Sequence, residues 1–437
     1  MHLKGRRVTI MGLGHFGGGA SAARWLARRG AQVTVTDLGD EDSLADSLSS
    51  LAGEPIARFH LGGHREADFR HADLVVVNPA VRPGNRFVEI AAESGVPRTS
   101  ETELFLQACP ARIIGVTGSN GKSTTAAMTA AILRAEGRTV WLGGNIGKSL
   151  LDRLDEIRPD DGVVLELSSF QLHHLNHGVR MPELAVVTNC RPNHLDWHGN
   201  FTDYRDSKQR ILTDQKPADL AVLNTQDAEV ASWLPLVRGR RLRLVPEDDI
   251  PPLAIPGDHN RANAVCAATA ALGAGCGRDS IERGLASFST LTHRLESVAV
   301  TKGRRLIDDS SSTTPDSTIA GLRALEGLTW LLAGGRDKGI DSRRLIAAIV
   351  RHARGAAFYG AVRKRLYGQA VARAPGFPCA AVETMDEALR WCWQRSRPGD
   401  GILLSPAYSS HDQFSNFQAR GATFAALAGR LGDPYNP

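Results

Sequence analysis

The chain has 437 residues, too many for a single core, so two to four domains are expected. Hydrophobic residues make up 42% and charged residues 23%, which excludes disordered, collagenous and disulfide-scaffold classes. The formal charge of +5 suits phosphate and carboxylate ligands; the arginines are dispersed, and the short runs at 238–243 and 302–305 read as solvated turns or strand edges, so no nucleic-acid partner is expected.

The N-terminal apolar run is only four residues long and is cut by glycines, so no signal peptide is expected there. RVTIMG (7–12), AQVTVTD (31–37) and ADLVVVNP (72–79) read as strands of a first unit. Between the first two lies a GxGxxG of Gly12, Gly14 and Gly17 before a helical stretch, with Asp37 20 residues past Gly17. Glycines there let backbone N–H groups approach a diphosphate, and the acid can take a ribose hydroxyl. Taken alone the motif suggests a nicotinamide oxidoreductase, but a tight strand–helix turn without a ligand looks the same.

RIIGVTG (112–118), GVVLEL (162–167) and LAVVTN (184–189) read as strands of a second unit. The first runs into GSNGKSTT (118–125) and a helix, the layout of a loop that binds a nucleoside triphosphate. Backbone N–H groups wrap the phosphates, Lys122 neutralises β/γ charge, and a hydroxyl reaches Mg²⁺. Position 116 is Val116 where the strict motif has Gly, and the glycines fall at 115, 118 and 121. Glu166 ends an apolar strand, where a carboxylate can reach a metal or simply form an edge salt bridge. His194 follows a strand by a short loop; alone it reads as structural, and Lys208 as a solvated helix lysine. RRLIDDS (304–310), TWLLAGG (329–335), AAFYGA (356–361) and GILLSP (401–406) read as strands of a third unit. Strands alternating with Ala/Leu-rich helices argue α/β with largely parallel sheets, divided near residues 100 and 292. Cys109, Cys190, Cys266, Cys276, Cys379 and Cys392 show no CxxC spacing and read as buried thiols of a reducing compartment. No window approaches roughly 18 apolar residues, so no membrane insertion is expected and the protein is expected to be cytoplasmic.

Taken together, TGSNGKSTT (117–125), GGNIG (143–147), LELSSFQL (165–172), TNCRPNHLDWH (188–198), YRDSK (204–208), GDHNRANA (257–264), HRLE (293–296), GGRDKG (334–339) and LLSPAYSSHDQFSNFQARG (403–421) resemble, in order, the motifs of the Mur ligase family. The likeness is greatest to the branch that adds glutamate to UDP-N-acetylmuramoyl-L-alanine. The resemblance implies three domains: an N-terminal Rossmann-like domain binding the UDP precursor (1–100), a central P-loop ATPase-like domain with a mostly parallel sheet (101–292), and a C-terminal Rossmann-like domain receiving the amino acid (293–437). It implies a UDP site with His15, Phe16 and Asp37, and precursor contacts from Asn145 and Ser168. ATP would be held by Gly118, Ser119, Asn120, Gly121, Lys122, Ser123, Thr124 and Thr125, with Asn260, Asn263, Arg294 and Asp309 around adenine, ribose or phosphate. Lys122, Glu166, His194 and Lys208 would be catalytic. Two Mg²⁺ ions are implied, one on Ser123 or Thr124 with Glu166, the other on His194 and Lys208, the lysine carrying a CO₂-derived carbamate. Glutamate would meet Thr313, Lys338, Ser410 and Phe417. Ser311 departs from the lysine or apolar residue of many relatives, which bears on whether D- or L-glutamate is added; D-glutamate is the expectation. A folate polyglutamate synthetase, a nicotinamide oxidoreductase and a non-catalytic nucleotide binder are the rival readings. The enzyme is expected to be a monomer whose partners are ATP, glutamate and the UDP precursor.

Overall fold

Three apolar-rich sheets organise the chain, and in each the strands point their carboxyl ends toward loops that carry polar residues. The computed structural model describes residues 2–15, 17–147, 149–325, 329–337, 339 and 341–431. The first sheet holds β1 (Arg7–Met11), β2 (Gln32–Thr36), β3 (Arg58–His60), β4 (Leu74–Val77) and β5 (Arg98–Thr99) in the order β3-β2-β1-β4-β5, all parallel. Side chains alternate along a strand, so Ile10 packs with Val33, Val35 and Leu26 on one face. Met11 packs with Phe69, Val75, Val77 and Ile90 on the other. Of these strands β4 is a continuous apolar run buried at every position, as a central strand covered on both faces requires.

The second sheet holds β6 (Arg112–Thr117), β7 (Val140–Gly144), β8 (Gly162–Glu166), β9 (Leu184–Val187), β10 (Leu220–Leu223) and β11 (Arg240–Arg241). Its order is β11-β10-β9-β6-β8-β7, again parallel throughout. The third sheet, ordered β12-β13-β17-β14-β15-β16, holds β12 (Glu296–Thr301), β13 (Arg304–Asp308), β14 (Thr329–Gly334), β15 (Ala353–Tyr359), β16 (Cys379–Ala381) and β17 (Gly401–Ala407). Here β12 is antiparallel to β13, so this sheet is mixed. The hairpin turn uses positive φ at Lys302 (47°) and Gly303 (74°), the pairing that matches strand twist in a two-residue turn.

Ten strands are legible from the sequence; β3, β5, β7, β10, β11, β12 and β16 are added by the structure. Four of these are two or three residues long, too short to carry a period of two, and β3, β5, β7, β11, β12 and β16 are sheet-edge strands with β10 next to one. By contacts the chain divides into two compact units, 1–251 with 262–286, and 252–261 with 287–437. The first unit contains the first two sheets and the second contains the third. Five of the six cysteines are buried and Cys379 is half-buried, all unbridged. Among the described residues no helix is long and apolar enough to cross a membrane.

Candidate active site

In the first unit, chemistry-bearing residues gather at the carboxyl edge of the second sheet because β6, β8, β7 and β9 are neighbours there. Register pairs Val116 with Glu166 and Thr117 with Val187, and β7 places Gly144 beside Glu166. From β6 the loop 118–121 leads into helix Lys122–Ala135, whose first-turn N–H groups have no helical carbonyl to bond. Gly121 has φ 79°, and a Cβ there would overlap Asn263 Oδ1; a Cβ on Gly118 would overlap Thr188 Oγ1. The loop is therefore glycine-dependent on both counts, conformation and space.

Its path is held from outside. Asn189 grips Asn120 twice, its Oδ1 accepting from Asn120 N and its Nδ2 donating to Asn120 O, both 2.9 Å. Ser119 Oγ donates to Arg191 O (2.9 Å) and lies 2.7 Å from Tyr204 OH. Lys122 Nζ donates to Ser119 O at 2.9 Å. Ser123, Thr124 and Thr125 are buried at the helix start.

Lys208, on helix Phe201–Thr213, is 1% exposed and donates to Gly118 O at 2.7 Å, with its Nζ 4.7 Å from the Tyr204 ring centre. Burial, reinforced by the charge of Lys122, pushes its pKa well below the usual lysine range. Far from a solvated helix lysine, it is an enclosed amine beneath the phosphate loop. Glu166 is 2% exposed; its Oε1 accepts from Asn145 Nδ2 (2.8 Å), while Oε2 is buried without a hydrogen-bond partner. A buried carboxylate oxygen with no donor is costly unless a cation meets it. His194 takes a left-handed backbone (φ 54°) at the start of a short helix, and its ring meets Phe170 edge-on at 4.8 Å. Ser168 caps helix Ser169–His174 in a capping box with Gln171, so its hydroxyl is engaged in local structure.

At the first sheet the three glycines Gly12, Gly14 and Gly17 all have positive φ (90°, 63° and 83°). Asp37 is turned toward the loop itself, accepting from Gly14 N (3.0 Å) and Gly39 N (2.8 Å). His15 is exposed; Phe16 lies outside the described residues.

In the second unit, Asp309 follows β13 and is 4% exposed. Ser405 Oγ donates to it at 2.7 Å, and burial pushes its pKa up to about 6, moderated by hydrogen bonds from Ser312 and Ser405 and by the charge of Arg294. Asn260 is buried, its Nδ2 donating to Pro256 O. Thr313 and Phe417 are half-buried and Ser410 is buried; Lys338 lies outside the described residues. Asn263, in the first unit, is the one of the four distant adenine–ribose candidates that the structure sets against the phosphate loop within its own unit.

Asn189 and Tyr204 lie inside the motifs 188–198 and 204–208 but carry no sequence sign of their part in holding the loop. A side chain that holds a binding loop leaves no signature separable from the ligand residues beside it.

The chain matches known proteins along its whole length. Residues 6–100 match the Mur ligase MurD-like N-terminal domain, 116–246 the Mur ligase middle domain, and 293–408 the Mur ligase glutamate ligase domain. It is 35% identical to a UDP-N-acetylmuramoylalanine–D-glutamate ligase of Roseiflexus sp. (strain RS-1), over 98% of this chain and 99% of that one. The ligase of the same name from Trichlorobacter lovleyi is also 35% identical, over 99% and 100%. In fold it is similar to UDP-N-acetylmuramate-alanine ligase MurC from Thermotoga maritima, with a TM-score of 0.63 at 19% identity, covering 98% of this chain and 100% of that one.

Proposed function

The chain belongs to the Mur ligase family, and from that premise we propose that it is the ATP-dependent ligase that joins D-glutamate to UDP-N-acetylmuramoyl-L-alanine in peptidoglycan synthesis. The observation that carries the reading is the buried Lys208 amine on Gly118 O, 2.7 Å away, beneath a glycine-dependent phosphate loop. The oxidoreductase reading has no support in the relatives, and the L-glutamate alternative has none either.

The precursor's carboxylate attacks the γ-phosphorus of ATP, the bond to the bridging oxygen breaks, and ADP leaves. The glutamate amine then attacks the acyl phosphate carbonyl and loses a proton; inorganic phosphate departs as the amide forms. Both steps concentrate negative charge, so the catalytic need is for cations fixed beforehand. Lys122 supplies one at the helix start, where the positive end of the helix dipole also favours phosphate.

The donor set fits magnesium. Glu166 Oε2 is buried and lacks a partner, and Ser123 and Thr124 offer hydroxyls at the loop's end. A second ion would be held by His194 and Lys208. An enclosed amine of depressed pKa has the free lone pair that CO₂ requires, and the product carbamate is an oxygen donor, with one proton released. When bound, the ions neutralise the charge of phosphate oxygens.

Residues 1–100 take the precursor through His15, Phe16, Asp37, Asn145 and Ser168, with the glycine loop pre-shaped by the Asp37 carboxylate. Residues 101–292 work on ATP, joined by Asn260, Asn263, Arg294 and Asp309, and residues 293–437 receive glutamate through Thr313, Lys338, Ser410 and Phe417. The enzyme is a cytoplasmic monomer in this reading.

The test is co-dependence. ADP and phosphate should form only when ATP, Mg²⁺, UDP-N-acetylmuramoyl-L-alanine and D-glutamate are all present, with D-glutamate turned over faster than the L-form at equal sub-saturating concentration. ADP release that ignores the precursor would sink the reading, and faster turnover of L-glutamate would overturn the stereochemistry.

A further inference from the structure

Arg420, on helix Phe417–Arg430, is fully enclosed at 0% exposure and makes no ion pair among the described residues. Its guanidinium donates from Nε to Ser310 Oγ (3.0 Å), from Nη2 to Ser310 O (2.9 Å) and from Nη1 to Tyr408 O (3.2 Å). Ser310 Oγ in turn donates to Phe417 O (2.8 Å), and Ser310 N donates to Asp308 Oδ1 (2.8 Å). The two strands that deliver these partners, β13 and β17, are parallel neighbours, with Asp308 opposite Leu404. Ser310 and Tyr408 thus emerge side by side at one sheet edge.

Enclosing a guanidinium without a carboxylate partner is unfavourable by itself, and an apolar residue of similar volume would fill the same space more stably. The arginine contributes something an apolar side chain cannot: a rigid planar fork that sets three separate chain segments against one another. Each tie ends close to a position proposed for the amino acid. Ser310 precedes Thr313 by three residues, Tyr408 precedes Ser410 by two, and Phe417 lies one helical turn before Arg420. We propose that Arg420 is a positioning residue for the incoming amino acid, fixing the spacing of the Ser310–Thr313, Tyr408–Ser410 and Phe417 segments so that a dicarboxylate of one hand fits. This rests on the ligase reading above. It also gives Ser310, the first of the serine run, a role as the hub to which the fork is bolted.

The experiment uses the full chain and compares wild type with Arg420→Lys, which keeps the charge but loses the fork. KM for D-glutamate should rise about tenfold or more, equivalent to roughly 1.4 kcal/mol. KM for ATP and for UDP-N-acetylmuramoyl-L-alanine should stay within about twofold, and the preference for D- over L-glutamate should narrow. A role confined to stability would lower the melting temperature and the active fraction while leaving all three KM values alone. A folded Arg420→Lys enzyme with unchanged KM for D-glutamate overturns the inference, and so does an equal rise in all three. Should that variant fail to fold, Ser310→Ala removes one acceptor of the fork while Ser310 O and Tyr408 O still hold it; it should shift KM for D-glutamate in the same direction by a smaller factor, and no shift overturns the proposal. A wild-type enzyme that forms no ADP with any amino acid would instead defeat the ligase reading, so the two failures are distinguishable.

Discussion

Lys208 illustrates how one residue's burial changes its chemistry. At 1% exposure, with Gly118 O as its hydrogen-bond acceptor, the ammonium form is penalised first by desolvation and then by the charge of Lys122. A lysine kept there for packing alone would be replaceable by another long cation. Under the carbamate proposal it is not: Lys208→Arg remains cationic and cannot become an oxygen donor, so its rate should fall with that of Lys208→Ala. Short carboxylates added to the alanine variant should restore part of the activity by supplying the lost oxygen. Near-normal rates in the arginine variant would show that the carbamate is not needed.

At the scale of the element, the phosphate loop is a strand, four residues and a helix whose geometry rests on two glycines. Gly121→Ala faces both a left-handed backbone, worth about 1–2 kcal/mol of strain, and overlap with Asn263 Oδ1. Gly17→Ala at the first sheet faces a similar φ of 83° but open space. The two therefore separate conformational strain from loss of a ligand-shaped loop. Gly121→Ala should weaken ATP binding by about tenfold or more, measured calorimetrically, whereas Gly17→Ala should leave ATP affinity alone. Equal ATP affinity in both variants would show that the loop does not cradle the nucleotide.

For the whole molecule, stability against pH follows from buried groups that pull in opposite directions. His174, whose Nε2 lies 2.9 Å from Val81 O, and His198 are both held down to about 4 by burial. Unfolded imidazoles take protons near pH 6.5, so between there and about 4 the unfolded chain binds more protons, and acidification destabilises the fold. His64, His173 and His259 are shifted the same way by burial. Asp309 opposes them: its folded carboxyl titrates near 6 against 3.8 when free, so acidification through that window favours the folded state. Burial raises the Glu101 and Asp308 carboxyls too; the five histidines still outnumber these three, and the urea midpoint should fall from pH 7 to pH 5. His174→Gln, which preserves a donor for Val81 O, should shrink that fall. Asp309→Asn should raise stability at pH 7 and steepen the fall, at the expense of activity. A midpoint that rises on acidification would refute this balance.

Local pattern by itself determined a good deal. The α/β class, ten strands, the glycine loops at 12–17 and 118–121 and the ordered ligase motifs are all readable because each is a short-range signal: a period of two, a turn that only glycine permits, a helix that begins where phosphate can bind. What only the tertiary structure decided depends on contacts across long stretches of chain. Lys208 looks like a surface lysine until sheet order and helix packing set it on Gly118 O, 90 residues away. Asp37 reads from the sequence as an acid ending a strand; the fold shows its carboxylate accepting from Gly14 N of its own glycine loop and from Gly39 N. Arg420 is one arginine among many until β13 and β17 come side by side and close three segments around it. The physical reason is the same in each case. Periodicity and turn chemistry are set by neighbours in sequence, whereas burial, pKa and the partner of a buried donor are set by which strands pair, and no local window contains that pairing.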